Sequence, residues 1–287
     1  MVLNLCPEAI SVKPVSFKST LSLALKWGFG GLDFQPAQFA DSEDVRDAGE
    51  QVRGNDLKWG LFYLPGDLLQ GSDATFKDGL AQLAKMMPSV EAAGCHLTYS
   101  HVWPGCEDRT YHENFTWHVA RLQAIVSILS AHGVRMGLEY IGAKTLRDGF
   151  RHPFLHTMEG ALELADAVSP DLGIALDCFH WFTSGGTLVD LRKKGLAQRI
   201  VNVHANDAAA GRSRDEQQDM ERAMPMASGL VDAPGILRVL NDEGYEGPVI
   251  CEPFWPTRDR FGAMDADEVL HEVSDVMHAL FSEAGIA

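Results

Sequence analysis

The chain has 287 residues, 46% hydrophobic and 22% charged, and carries a formal net charge of −16 at pH 7. No apolar run approaches the roughly 18 residues that a membrane-spanning helix needs, and the length suits one α/β domain near the roughly 250 residues typical of an eight-fold βα barrel. Such an excess of acid works against nucleic acid and anionic membrane, which attract proteins through Lys and Arg meeting phosphate; a small, neutral or weakly charged molecule is the expected partner.

In chain order, MVLNLC lacks the basic start and apolar core of a signal peptide and reads instead as a first strand over 2–6, with a cytoplasmic location as the expectation. Further strands are expected near 31–34, 58–63, 96–101, 134–139, 172–177, 200–204 and 248–252, which makes eight. Between them, Phe76, Leu80, Leu83, Met87 and Val90 form a helical stripe closed by Gly94, and Phe115, Val119, Leu122, Val126 and Leu129 form another, ending at His132 and Gly133. Thr187 is the expected N-cap of a helix over LVDLRKKGLA, and Val269, Leu270, Val273, Val276, Met277 and Leu280 mark a last helix. Alternating strands and helices with no visible linker point to an α/β fold, a (β/α)8 TIM barrel occupying 1–287 as a single domain. The five cysteines, Cys6, Cys95, Cys106, Cys178 and Cys251, are odd in number and form no CxxC pair, so they are read as reduced packing residues.

One connection, about 206–231, is too long for a simple turn and follows the strand that ends in His204. It would emerge on the face where barrel strands end, and long loops in compact domains are commonly functional. Arg212, Arg214 and Arg222 are its candidate contacts to a ligand, although each would serve equally well as a solvated loop charge.

The chemistry is concentrated at the strand ends. Glu139 in GLEY, Asp177 in ALDCFH, His204 in VNVHAND and Glu252 in VICEPF close four successive strands. Parallel barrel strands bring their C-terminal ends to one face, so these four can share one ion. An acidic residue at a single strand end is more often a helix cap or turn residue; the weight lies in four in series. Carboxylates with one imidazole suit a divalent ion of the Mn, Mg or Co type, with Zn also admissible, in an open catalytic site rather than a thiolate-rich structural one. On the same face, His180, His101, Trp103, Trp181 and Trp255 are candidate substrate contacts, the aromatics by stacking on the apolar face of a ligand. Phe254 could stack in the same way as the tryptophans, and Phe34, Gln35, Tyr63 and Lys144 are weaker candidates from the same rim.

Glu139, the DxxH of Asp177 and His180, His204 closing VNVH, and Glu252 in CEPF resemble the motif set of the sugar isomerase and epimerase superfamily, the xylose-isomerase-like barrels that include D-tagatose 3-epimerase, hydroxypyruvate isomerase and inosose-processing enzymes. The resemblance is most specific from 134 to 254. It implies that Glu139, Asp177, His204 and Glu252 bind one divalent metal, that Glu139 and Glu252 are the catalytic acid and base around an enediolate, and that His180 contacts a substrate oxygen. It also implies a sugar or keto-sugar substrate and admits a homo-oligomer. The related epimerases often carry an arginine a few residues after the metal-binding histidine; here Asp207 to Ala210 come first and Arg212 stands later, so the substrate of those epimerases does not carry over.

Two other readings use the same residues. A lyase or dehydratase acting on keto-sugars, inososes or 3-keto-glycosides would remove the same proton and expel an oxygen. A nuclease like endonuclease IV shares the ligand series but requires a DxH pair between the last two strands, and none occurs between His204 and Glu252.

Overall fold

A computed structural model describes residues 1–13 and 16–286. The barrel wall consists of β1 (Val2–Leu5), β2 (Gly31–Leu32), β3 (Lys58–Trp59), β4 (Phe62–Tyr63), β5 (Leu97–Val102), β6 (Arg135–Tyr140), β7 (Gly173–Asp177), β8 (Ile200–Ala205) and β9 (Pro248–Cys251). They pair in the order β3-β2-β1-β9-β8-β7-β6-β5-β4. Each neighbouring pair runs parallel. This is a TIM barrel, with one departure from the eight expected strands.

The strand expected over 58–63 is two pieces, and they lie at opposite ends of the pairing order. Gly60 and Leu61 therefore carry the chain from one edge of the sheet to the other and close the wall. Local chemistry dictates the break. The Asp33 carboxylate accepts a hydrogen bond from Leu61 N at 2.9 Å and another from Asn4 Nδ2 at 2.7 Å. Gly60 donates to Leu32 O at 2.8 Å, while Phe34 donates to Leu61 O, also at 2.8 Å. A Cβ on residue 60 would fall 2.4 Å from Asn4 Oδ1 and 2.5 Å from Asp33 Oδ1, so only glycine fits beneath this pair.

The outer helices begin where short polar side chains take up free backbone donors. Ser72 caps Asp73–Ala93, Thr110 with Glu113 forms a capping box at Tyr111–Ser130, and Asp265 with Glu268 does the same at Ala266–Ala284. Gly94, at φ +75°, ends the first of these in the left-handed conformation. Thr187 is an N-cap as expected, but its helix stops at Leu191: Lys193 to Gly195 turn away, Gly195 at φ +83°, so the α-helix does not continue through KKGLA, whose Ala197 opens a short 3-10 turn. Apolar faces of the helices and the outer face of the wall form the main core, and a second cluster of Cys6, Ala9, Leu61, Tyr99, Ala175 and Ile250 lies apart from it. All five cysteines are free, and four are buried. No helix among the described residues is long and apolar enough to cross a membrane.

The 206–231 connection is ordered by its own contacts. Asp207–Ala208 pair antiparallel with Arg222–Ala223. Buried Asp207 accepts from the backbone N–H groups of Ala208, Ser228, Gly229 and Val231 at 2.7–2.9 Å. Thr145 Oγ1 donates to Gln217 O at 2.7 Å, which ties the loop to the segment after β6.

Candidate metal centre

Glu139 is the penultimate residue of β6, Asp177 ends β7, His204 is penultimate in β8, and Glu252 follows β9. These four strands are adjacent in the wall, and register sets His204 beside Asp177 and His101 beside Glu139. Period-two alternation then turns the four side chains inward together. One ligand atom from each of Glu139, Asp177, His204 and Glu252 lies within 4.8 Å of the others.

The hydrogen-bond geometry centres on His204. Its Nδ1 stands 3.0 Å from Glu139 Oε1, 3.5 Å from Glu252 Oε2 and 3.9 Å from Asp177 Oδ2. Glu139 Oε2 lies 2.9 Å from His101 Nε2 but receives no aligned hydrogen bond, although it is buried. Asp177 also caps Cys178–Thr183, accepting from His180 N at 2.9 Å through Oδ1, while its Oδ2 faces the cluster 3.9 Å from His204 Nδ1.

Three carboxylates in this space face two cationic groups. Burial alone would depress the His204 imidazolium, but Glu252 and Glu139 overcome it and push its pKa up to about 10. Burial raises Glu252 to about 7, with the charge of Glu139 acting in the same direction against the pull of His204 and Arg222. Glu139 is held well below the ordinary carboxylate range because His204 and His101 outweigh its burial. The residual negative charge, the buried unpartnered Oε2 and the oxygen-rich donor set with one imidazole fit a divalent cation.

Of the three loop arginines, Arg222 is the one that enters the site. It donates from Nη1 to Asp177 Oδ2 at 2.8 Å and Glu252 Oε2 at 3.0 Å, and from Nη2 to Asp219 Oδ1 at 2.9 Å. Its guanidinium stacks over Phe254, 4.4 Å from the ring centroid. Arg212 pairs with Glu221, and Arg214 lies exposed over Phe182. The sequence-distant antiparallel pair carries Arg222 inward while its neighbours stay on the rim.

The remaining candidates occupy different depths. His101 is half exposed at the mouth beside Glu139. His180 is buried, with Gly142 N donating to its Nδ1 at 3.2 Å and its Nε2 2.9 Å from Arg222 Nη2. A Cβ on residue 142 would lie 2.3 Å from His180 O, which explains the glycine there. Trp103 lines a cavity of about 310 Å³ with Phe150 and His118. Trp181 is packed in the core with Gly186 against its ring, whereas Trp255 is 53% exposed.

Three inward residues escaped the sequence reading. Tyr99 sets its ring edge against His204, with centroids 4.9 Å apart. Asn206 donates to Asp177 Oδ2 at 2.9 Å and accepts from Phe179 N at 2.9 Å, and Asn202 lies 3.1 Å from His204 Nε2. Alternation was the available signal: Asn202, His204 and Asn206 share one face of VNVHAN.

Comparison with known proteins agrees with this architecture. Inosose isomerase of Halalkalibacterium halodurans is 29% identical over 160 residues, which cover 54% of this chain and only 50% of that protein. A xylose isomerase domain protein from Alicyclobacillus acidocaldarius subsp. acidocaldarius superposes with a TM-score of 0.81 at 22% identity, covering 99% of both chains. The IolI protein, whose crystal structure holds a zinc atom, superposes with a TM-score of 0.79 at 18% identity, again over 99% of each. The family model described as xylose isomerase-like TIM barrel matches residues 21–277, and the chain belongs to that family.

Proposed function

We propose that this chain is a divalent-metal-dependent isomerase or epimerase of sugars or cyclitols that moves a proton next to a carbonyl. The observation that carries the reading is the pair Glu139 and Glu252: both reach the same His204 nitrogen, and their surroundings drive their proton affinities apart. Carboxylates so separated can serve as base and acid in one cycle. The resemblance of half the chain to an inosose isomerase supports the substrate class.

Glu139, Asp177, His204 and Glu252 would hold the ion, which when bound supplies positive charge that polarises a substrate carbonyl and stabilises negative charge developing on its oxygen. One of the two glutamates takes the proton from carbon and the other returns one. Return to the same carbon from the opposite face inverts it; return to its neighbour isomerises the sugar. Arg222 is placed to neutralise charge beside Glu252 and Asp177, and His101 at the mouth can hold a substrate hydroxyl while it orients Glu139. Exposed Trp255 and the Trp103 wall offer stacking surfaces for a ring.

The test is a panel of ketoses, inososes and 3-keto-glycosides incubated with the protein and Mn in deuterated water. The expected product has the composition of the substrate with one carbon-bound hydrogen replaced by deuterium. Loss of water or of an aglycone would assign the elimination reading instead, and full activity after exhaustive chelation would overturn metal dependence.

A further inference from the structure

His204 is held at both ends, and the end away from the carboxylates has one hydrogen-bonding side chain among the described residues, Asn202. The two lie two positions apart on β8, so both point into the barrel, and both are buried. As placed, Asn202 turns Nδ2 toward His204 Nε2 at 3.1 Å and leaves its Oδ1 buried with no donor.

The chemistry of the imidazole decides which amide atom belongs there. If Nδ1 gives its lone pair to a cation, the ring's remaining proton sits on Nε2; if the ring is an imidazolium, Nε2 is protonated as well. In either state Nε2–H is a donor, and a second donor facing it would be repelled. A half-turn of the amide exchanges two atoms of nearly equal size and brings Oδ1 onto Nε2–H, so that a donor–donor repulsion becomes a hydrogen bond. Tyr99, packed edge-on against the imidazole with the ring planes 76° apart, restrains the ring but offers nothing to Nε2.

We infer that Asn202 is a positioning residue for the metal centre, its Oδ1 accepting Nε2–H of His204 so that Nδ1 presents its lone pair to the space among Glu139, Asp177 and Glu252. This rests on the metal-dependent reading of the same cluster. Neutral histidine has two tautomers, and only the one with Nε2 protonated can ligate through Nδ1; Asn202 holds the proton on Nε2, so that the entering ion displaces the one on Nδ1, and it keeps the ring from turning.

The test measures Mn affinity without substrate, by titration of free Mn at constant pH, for the natural protein, Asn202→Leu and Asn202→Asp. Leucine keeps the volume and removes the acceptor, so affinity should fall about 10- to 100-fold, the usual cost of losing such a partner. Aspartate offers only oxygens to Nε2–H and should bind at least as tightly as the natural protein. Nitrogen NMR of the natural protein loaded with diamagnetic zinc should find the His204 proton on Nε2. A leucine variant that binds Mn as well as the natural protein overturns the inference, as does a zinc-loaded His204 with a bare Nε2. If the leucine variant fails to fold, the nitrogen spectrum decides alone. A natural protein that takes up no divalent ion overturns the metal-dependent function as well, whereas an unchanged leucine variant overturns only the role of Asn202.

Discussion

Asp33 and Asp177 are both buried carboxylates at the ends of barrel strands, yet their surroundings differ in kind. Asp33 accepts from an amide, a backbone N–H and, more distantly, the Tyr63 hydroxyl at 3.4 Å. Among the described residues no Lys, Arg or His forms an ion pair with it, and burial raises its pKa against those donors and the more distant charge of His204. Asp177 is held by Arg222 and Asn206 and stands among Glu139, Glu252 and His204; the attraction of Arg222 and His180 overcomes its burial, and its pKa is lowered. The first region uses a lone carboxylate with neutral donors to close the wall through Gly60 and Leu61. The second concentrates three carboxylates and leaves them short of positive charge. A buried acid with its donors supplied is architecture, whereas a group of them in electrostatic deficit is a place for a cation.

The largest expected effect falls on the second region alone. Glu139→Gln keeps shape and removes the charge and the basicity, so deuterium incorporation and turnover should fall about 10²- to 10⁴-fold, the range assigned to a general acid or base. The metal-free variant should also lose stability, because His204 and His101 give up a charged partner, so exchange is compared at a temperature where the variant is folded. A variant with unimpaired exchange would mean that Glu139 is only a ligand and that the two glutamates are not a catalytic pair.

Arg222→Met sharpens the contrast through stability. Removing one partner from a buried ion cluster costs about 3–5 kcal/mol, because the carboxylates left behind are uncompensated. Denaturant midpoints of the metal-free protein should report that loss, and added Mn should recover much of it by supplying charge to Asp177 and Glu252. If the metal-free variant were as stable as the natural protein, the proposed deficit of positive charge would be wrong.

Gly60→Ala probes the first region. Its Cβ would press on Asn4 and Asp33, an overpacking cost of about 1–3 kcal/mol. Mn affinity should change by less than tenfold, since among the described residues Asp33 and its donors share no hydrogen bond or ion pair with Glu139, Asp177, His204 or Glu252. A tenfold loss of Mn affinity would show that wall closure and metal centre act as one unit.

The two regions also differ in how legible they are in the sequence. The convergence of Glu139, Asp177, His204 and Glu252 could be read because strand ends, residue chemistry and chain order all coincide there. The wall closure could not, because KWGLFY has the composition of one continuous strand and the break depends on Asp33, distant in sequence. Arg222 stood among three equivalent loop arginines; only its antiparallel pairing with Asp207–Ala208 distinguishes it. Trp181 looked like a stacking surface from its place after Asp177, but Gly186 makes room for it in the core. Residues whose role follows from local spacing were legible, and those whose role follows from a partner far along the chain were not.

The smallest effect, and the most direct measure of the charge deficit, is the proton displaced when the ion enters. With its pKa near 10, His204 in the metal-free protein is an imidazolium at pH 7, and its Nδ1 proton lies toward Glu139. An ion that takes Nδ1 must expel that proton, so affinity should rise up to about tenfold per pH unit above neutrality and level off near the imidazolium pKa. Glu252, near 7, adds a second released proton only at lower pH. The stability sign is consistent: a histidine whose pKa rises on folding stabilises the metal-free protein fully below the unfolded value of roughly 6.5, and that contribution disappears as pH climbs through the folded value. Metal-free protein should therefore weaken on the alkaline side while the metal-loaded form, no longer dependent on the imidazolium, should not. Calorimetry at pH 8 in two buffers of different ionisation enthalpy should find about one proton released per ion. Release of none would mean that the imidazole is already neutral among the carboxylates, which would leave Arg222 to carry the compensation of Asp177 and Glu252 and enlarge the contrast with Asp33.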